Sequence, residues 1–264
     1  VSKIIATLDE INRHLTTEAD GSYSAVYDAY HLKTAFQPIH QVNGDLFGFE
    51  ALVRVFNECG DELNTEPFFA PEYYDETDQV NMDRLARVIH VKNFAQFFAS
   101  YALFINMVPD ALLIHSKNVP ATLLHQRLKA LGLKAEQVFF ELLEHDCSSN
   151  IELLDILQQM RAQGMKVAMD DYGVKASSEG RARYLQPDLI KVDRSLLADF
   201  LSGEESPLRE VVGLGRELGA KLLIEGVENA AGLKVARMLN ADYIQGFYLG
   251  RPQLLSEILL SRVS

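Results

Sequence analysis

Between Met165 and Gly173 the chain reads MKVAMDDYG, a largely apolar run that ends in two adjacent carboxylates and a glycine. An apolar run of that length, bounded by turn residues, predicts a strand buried on both faces. Asp170 and Asp171 then stand where the strand leaves the core. Neighbouring carboxylates raise one another's pKa unless a cation neutralises them, so the pair points to a strand-end metal site. The plain alternative is one Asp capping the next helix and the other facing solvent.

A polar residue ends nearly every other apolar run as well: Gln37, Glu50, Asn106, Glu141, Lys191, Glu225 and Gln245. A cap or a rim salt bridge explains any one of them. It explains the set poorly, because buried charges need partners and most of these are acidic. Carboxylates with amides and one lysine form a hard oxygen-donor set, better suited to Mg²⁺ or Mn²⁺ than to zinc. An acidic rim holding two such ions suits in-line attack of water on a phosphodiester, the metals clamping the attacking and leaving oxygens roughly 3.5–4 Å apart across a shared carboxylate. Lys191 would orient the attacking water or offset transition-state charge. Arg54, four residues after Glu50, is a candidate for the substrate phosphate.

The elements that must position these residues follow from periodicity and turn chemistry. Thr34–Ile39 and Leu46–Leu52 flank Asn43-Gly44, and an Asn-Gly between apolar runs predicts a hairpin. Beyond it, predicted helices over 79–99, 121–131, 150–163, 205–218, 229–239 and 253–262 alternate with strands at Leu103–Met107, Val138–Leu142, the MKVAMDD run, Asp188–Val192, Lys221–Glu225 and Asp242–Phe247. Gly164 and Gly219 end two of the helices. Eight strand candidates alternating with helices predict a closed α/β barrel, whose active site lies at the C-terminal ends of the strands. Residues 1–31 read as an N-terminal helical segment (Ile4, Leu8, Ile11, Leu15) packed on the outside, broken at Asp20-Gly21. No Gly-, Ser- or Pro-rich linker interrupts the sequence, so 1–264 reads as a single barrel domain.

Composition narrows the partners. The 264 residues are 48% hydrophobic and carry a net charge of −12. An acidic chain without Lys/Arg runs is a poor partner for long nucleic acid or an anionic membrane, but bound divalent ions can reverse the local field for a small phosphorylated ligand. Cys59 and Cys147 form no CxxC, and the seven histidines form no HxH or HExxH, so neither a disulfide framework nor a zinc motif is indicated. Gly213 and Gly215 lie inside a helical pattern with no strand before them, which rules out a dinucleotide fingerprint. With no signal peptide or membrane-length apolar run, a cytoplasmic location is expected. The start at Val1 leaves open a longer, membrane-attached parent.

Several ordered blocks resemble one family. Glu50-Ala51-Leu52-Val53-Arg54 is similar to the EALxR signature of bacterial EAL-domain phosphodiesterases, which hydrolyse cyclic di-GMP. FQPI at 36–39, INMVP at 105–109, ELLE at 141–144, MDDYG at 169–173, IKVDRS at 190–195, IEGVEN at 224–229 and DYIQGFYLGRP at 242–252 extend the resemblance over most of the chain. It implies a modified TIM (β/α)8 barrel with one antiparallel strand, two Mg²⁺ or Mn²⁺ ions, and linear pGpG as product. Glu50, Asn106, Glu141 and Asp170 would hold one ion; Asp170, Asp171 and Glu225 would serve the second ion and the water, which Lys191 helps to position. Gln37 and Arg54 would contact the ligand, with Gln245 positioning water, and Glu144 would anchor the loop after the fifth barrel strand. Family members commonly form homodimers near that loop.

The same loop departs from the family's DFGxGYSS. It reads Asp171-Tyr172-Gly173-Val174-Lys175-Ala176-Ser177-Ser178, and Lys175 lacks the conformational freedom of the glycine it replaces. Two readings follow: an active cyclic di-GMP phosphodiesterase of low or regulated activity, or a non-catalytic cyclic di-GMP receptor or protein-interaction module on the same barrel. Retention of Glu50 and the Asp pair favours the enzyme. A barrel acting on another phosphodiester is the third reading. His145 reads as a rim residue, Asp193 and Arg194 as structural, and Glu66–Asp78 as a loop bordering the pocket.

Overall fold

Two short strands, β1 (Leu15–Thr17) and β2 (Tyr23–Tyr27), lead antiparallel into β3 (Tyr30–Gln41), which turns back through Asn43-Gly44 into β4 (Leu46–Phe56). The turn is closed by Gly44 N–H donating to the Gln41 carbonyl at 2.8 Å, with Gly44 at φ +105°, a conformation glycine adopts without steric cost. These features belong to a computed structural model that describes residues 3–5, 7–69, 75–116, 121–142, 148–173 and 179–261.

After the edge strand β5 (Glu62–Leu63) come β6 (Ala102–Met107), β7 (Val138–Leu142), β8 (Lys166–Tyr172), β9 (Leu189–Val192), β10 (Lys221–Ile224) and β11 (Tyr243–Ile244). Each of β6 to β11 runs parallel to its predecessor in the ring, starting from β4. β11 then closes antiparallel onto β3. The ring β3-β4-β6-β7-β8-β9-β10-β11 is therefore an eight-stranded α/β barrel in which β3 alone is reversed, the closed barrel expected from the strand–helix alternation and the modified TIM barrel that the family resemblance implies. A last short strand, β12 (Gln253–Leu254), pairs with β3 outside the ring.

Helices form where capping and apolar spacing agree. Asp75 caps the helix Glu76–Phe97 by accepting from Asp78 N–H, and Ser149 caps Asn150–Ala162 through Glu152 N–H. Gly219 ends Ser206–Leu218 in the left-handed region. Among the described residues, helices at Glu66–Phe69, Pro109–Ser116 and Arg194–Ser202 escape the sequence pattern; the first corrects the reading of Glu66–Asp78 as a loop, and the last is capped by Asp193 accepting from Ser195 N–H. Among the described residues no helix is long and apolar enough to cross a membrane.

The N-terminal segment corrects the reading of 1–31 as helical. The helix spans only Leu8–His14, set by a Thr7/Glu10 capping box, and the chain then becomes β1 and β2. The reason is local chemistry: Tyr23-Ser24-Ala25-Val26-Tyr27 is rich in strand-favouring side chains, and the free edge of β3 supplies their hydrogen-bond partners. Ala25 and Tyr27 join Ile5, Ile11 and Leu32 in a cluster against Met82, Leu85 and Ile89 of the Glu76–Phe97 helix. Asn81 and Asn93 on that helix reach across to backbone: Asn81 accepts from Ile5 N–H at 2.8 Å, and Asn93 from Tyr23 N–H at 2.7 Å.

The barrel bottom is filled by Ile39, Phe104, Phe139, Ala168, Leu189 and Leu223, with Phe104 and Phe139 stacked at 4.4 Å between centroids. Burying each such ring contributes roughly 1.5–3 kcal/mol. Outward-facing residues of the same strands pack under the helices.

Candidate metal centre

Strand register brings the polar residues to one end of the barrel. Gln37 lies opposite Glu50 on the antiparallel β3–β4 pair, and Asn106 opposite Glu141 on the parallel β6–β7 pair. Since side chains alternate faces along a strand, Phe104 and Asn106 point inward together, as do Phe139 and Glu141. β8 breaks that alternation. Its pairing with β9 shifts between Met169 and Tyr172, and Asp171 sits at φ +49°, a left-handed conformation that Asp tolerates better than most residues. This irregularity turns both consecutive carboxylates, Asp170 and Asp171, into one cleft of about 260 Å³ with Glu50, Glu225, Lys191, Gln37 and Gln245. Gly226, at φ +65°, carries the chain out past Arg194, where a Cβ would meet the Arg194 Cβ at 2.3 Å.

Lys191 stands at the centre. It is 1% exposed, and its Nζ lies 2.8 Å from Glu141 Oε1, 2.8 Å from Asp170 Oδ1, 2.9 Å from Glu225 Oε1 and 3.6 Å from Glu50 Oε2. Four carboxylates face one ammonium. Burial alone would lower the Lys191 pKa, but Asp170, Glu141, Glu225 and Glu50 outweigh it and hold the amine well above its ordinary value. Burial likewise pushes Glu50 up, yet Lys191 and hydrogen bonds from Gln245 and Asn106 bring it below the usual carboxylate range. The others are not so compensated. Burial, then the charge of Glu50, pushes Glu141 well above the carboxylate range. Burial, reinforced by Asp170 and Glu50 against Lys191, raises Glu225 to about 8. Burial and Asp170 raise Asp171 to about 6. The cluster holds more negative charge than one lysine neutralises.

The hydrogen bonds leave buried acceptors unpaired beside the cleft, and Asn106 and Glu141 lie behind its lining. Asn106 Nδ2 donates to Glu50 Oε1 at 3.0 Å and Gln245 Nε2 to Glu50 Oε2 at 2.8 Å. The two amides thereby fix both Glu50 oxygens. Asn106 Oδ1, Gln245 Oε1 and Glu141 Oε2 are buried with no hydrogen-bond donor among the described residues. An unsatisfied buried acceptor costs about 1–3 kcal/mol, and a cation relieves several at once. One ligand atom from each of Asp170, Asp171 and Glu225 also lies within 4.8 Å of the others. All these donors are hard oxygens, the chemistry that suits a divalent ion of the Mg²⁺ or Mn²⁺ type.

Other expected residues fall differently. Gln37 lines the cleft, its Nε2 donating to the Gly250 carbonyl at 3.2 Å. Arg54 does not line it; Nε pairs with Glu62 at 3.3 Å and a terminal nitrogen donates to the Val53 carbonyl. Glu144 and His145 lie outside the described residues, as does the loop from Val174 to Ser178. Arg194, expected to be purely structural, also lines the cleft, a correction to that reading, and Glu228 and Phe247 line it without having been singled out in the sequence. Phe247 is 48% exposed, with the Arg251 guanidinium 4.0 Å from its ring centroid. Their signal was present, since each falls within or just after a block ending in a polar strand residue. Read alone, Arg194 starts a helix and Phe247 looks like core.

The EAL domain family profile matches residues 23–252. The chain is 26% identical over 239 residues to the cyclic di-GMP phosphodiesterase PdeF of Escherichia coli K12, covering 87% of this chain and 31% of that protein. It superposes on the Bacillus subtilis YkuI protein, solved with cyclic di-GMP and calcium, with a TM-score of 0.75 at 24% identity, over 88% of this chain and 60% of that one. The manganese and cyclic di-GMP complex of Klebsiella pneumoniae BlrP1 gives a TM-score of 0.72 at 27% identity, over 84% of this chain and 56% of that one. The chain thus spans only part of the relatives it matches, 31% of PdeF's length.

Proposed function

The chain belongs to the EAL domain family, and from that premise we propose that it is a metal-dependent phosphodiesterase that opens cyclic di-GMP to linear pGpG. One observation carries this reading: the buried ring of carboxylates around Lys191 exceeds that lysine's charge and leaves Asn106 Oδ1, Glu141 Oε2 and Gln245 Oε1 without donors. Glu50, Asn106, Glu141 and Asp170 would hold one ion, and Asp170, Asp171 and Glu225 the second, with Mg²⁺ or Mn²⁺ as the metals. When bound, such ions lower the pKa of a coordinated water and neutralise charge on the phosphate.

This chain's own residues do the rest. Lys191 Nζ, whose three N–H donors are engaged by Glu141, Asp170 and Glu225, offsets charge on the phosphorane-like transition state and donates to the attacking water once one of those carboxylates turns to a bound ion. The Asp171 carboxylate, turned into the cleft beside Asp170, would accept the water's proton. The water oxygen bonds to phosphorus, the bond to the 3′ oxygen breaks, that oxygen takes up a proton from solvent, and the product carries a 5′-phosphate and a 3′-hydroxyl. Gln245 and Asn106 hold Glu50 in place. Gln37 and Arg194 face the phosphate, and Phe247 offers an exposed ring at the mouth on which a base can stack. Arg54 reaches the ligand by exchanging its pair with Glu62, whose side chain is 53% exposed; such exposed pairs cost about 1 kcal/mol or less to break.

The test is incubation of the purified chain with cyclic di-GMP and Mn²⁺ or Mg²⁺, with chromatographic separation of products, beside Glu50→Ala. Formation of pGpG that requires both metal and Glu50 supports the enzyme. Lys175 and Ala176, in place of the family's Gly and Tyr, favour the second reading, a cyclic di-GMP receptor. Tight binding without product in this assay, with turnover appearing when both positions are restored, would decide for it.

A further inference from the structure

A second cavity, of about 280 Å³, lies outside the barrel between the helices Glu76–Phe97 and Ala121–Ala130. Its size is near the lower end of ligand pockets, roughly 300–1,000 Å³. Its walls are apolar: Val88 and Val91 from the first helix, Leu124 from the second, and Ile105, Met107 and Phe140 from β6 and β7. Leu8 and Leu131 stand at the edge, 53% and 39% exposed. The floor is the reverse face of the strands that carry Asn106 and Glu141 inward.

Three guanidinium groups converge on this apolar space, from Arg84, Arg87 and Arg127. Arg84 and Arg87 are buried, at 3% and 9% exposure. Burial, with Arg87 and Arg127 close by, lowers Arg84 to about 10. Arg84 donates to the Ile5 carbonyl and Arg87 pairs with Asp83, one turn back on the same helix. Glu10 faces Arg84 but is shared with Thr7 and Lys3. Arg127 differs. It is only partly buried, but its Nε is buried with no hydrogen-bond partner, and no ion pair engages it among the described residues. A chain of net charge −12 has carboxylates to spare, yet none of the described ones pairs with this guanidinium.

An apolar chamber edged by a guanidinium whose buried Nε lacks a partner is complementary to a ligand with an apolar body and an anionic head. The planar fork of Arg favours a carboxylate, which it can bind through two parallel hydrogen bonds. We propose that this cavity is a binding site for an alkyl carboxylate, its chain against Val88, Val91, Ile105, Met107, Leu124 and Phe140 and its carboxylate on Arg127 and Arg87. The site is separate from the metal centre and does not depend on the phosphodiesterase reading.

Titration calorimetry with decanoate, below its micelle concentration, tests it against two probes of the same tail: 1-decanol, which is neutral, and decyltrimethylammonium, which is cationic. We expect one decanoate per chain, bound at least about tenfold tighter than either control. Arg127→Gln should weaken decanoate about ten- to a hundredfold, the loss of a charge-assisted hydrogen bond, and leave 1-decanol unchanged. Equal binding of the three tails, no decanoate binding, or undiminished binding to Arg127→Gln would each overturn the proposal. If Arg127→Gln fails to melt cooperatively, the ranking of the three probes on the unsubstituted chain decides.

Discussion

The bottom and the mouth of the barrel are built from the same strands, two residues apart. On β6 Phe104 is followed by Asn106, on β7 Phe139 by Glu141, on β8 Ala168 by Asp170 and on β9 Leu189 by Lys191, and Leu223 of β10 is followed by Glu225 just past the strand's end. β3 runs the other way, and its order is inverted to match: Gln37 precedes Ile39. One step of the pleat separates a stacked apolar layer from a ring of buried charge. The lower layer contributes stability through burial. The upper layer gathers like charges whose pKa values are displaced and acceptors that no donor satisfies. That difference is what a functional site on a stable scaffold should look like: one layer is at its energetic optimum, and the other is held away from it by the first.

Substitutions in the two layers should therefore separate stability from activity, and these are the largest effects expected. Phe104→Ala empties part of the stack on Phe139 and should cost about 3–5 kcal/mol of unfolding free energy, read by urea denaturation. Asp170→Asn removes one carboxylate from the ring and should lower turnover about a thousandfold, the several kcal/mol that a metal clamp supplies. Its metal-free melting temperature should hold or rise, because less like charge is buried. If Asp170→Asn melted as low as Phe104→Ala, the mouth would be structural and the contrast would fail.

Cation binding sharpens the same contrast at a smaller scale. A divalent ion that binds only the folded chain stabilises it by about 2.7 kcal/mol at a hundredfold excess over its dissociation constant. Thermal melting with Mn²⁺ should rise accordingly, fall back with chelator, and show no shift in Asp170→Asn. Phe104→Ala should keep the full metal-induced increment on its lower baseline, since the lower layer holds no donor.

How much of this was legible in the sequence follows from the same two layers. The mouth was readable because a polar residue at the end of an apolar run is anomalous in itself, as at Glu141 in VFFEL or Lys191 in DLIKV. The reversal of β3 was foreshadowed by Asn43-Gly44. Residues after the strands were harder, because a loop's direction is set by tertiary packing. Phe247 looks apolar, yet Gly246 before it packs against the Val227 backbone and the ring is left 48% exposed. Arg54 lies on the face of β4 that carries Glu50, but its partner Glu62 comes from β5, a two-residue strand too short to show periodicity. Tyr23–Tyr27 was hidden for a related reason: a strand at the edge of β3 gains its stability from a neighbour, not from its own pattern.

The smallest effect concerns pH, and the two regions respond with opposite sign. Burial raises Glu225 to about 8 in the folded chain, above its value when unfolded. Between the two values the native state holds the extra proton, so this stability is present at low pH and is lost as pH rises through about 8. His90, buried beside the apolar helix face and hydrogen-bonded through Nδ1 to Thr34 Oγ1 at 2.8 Å, is lowered by burial to about 3. There the unfolded state takes up the proton first, so stability is lost as pH falls from the ordinary histidine range toward about 3. The metal-free chain should thus be most stable at mildly acidic pH, with changes on the order of 1–2 kcal/mol on either side. Saturating Mn²⁺ should abolish the alkaline limb, because a bound cation keeps Glu225 ionised, and leave the acidic limb assigned to His90. His90→Asn should do the reverse. Melting curves across pH with and without metal check both; an alkaline limb that persists under saturating metal would mean Glu225 does not face the ion.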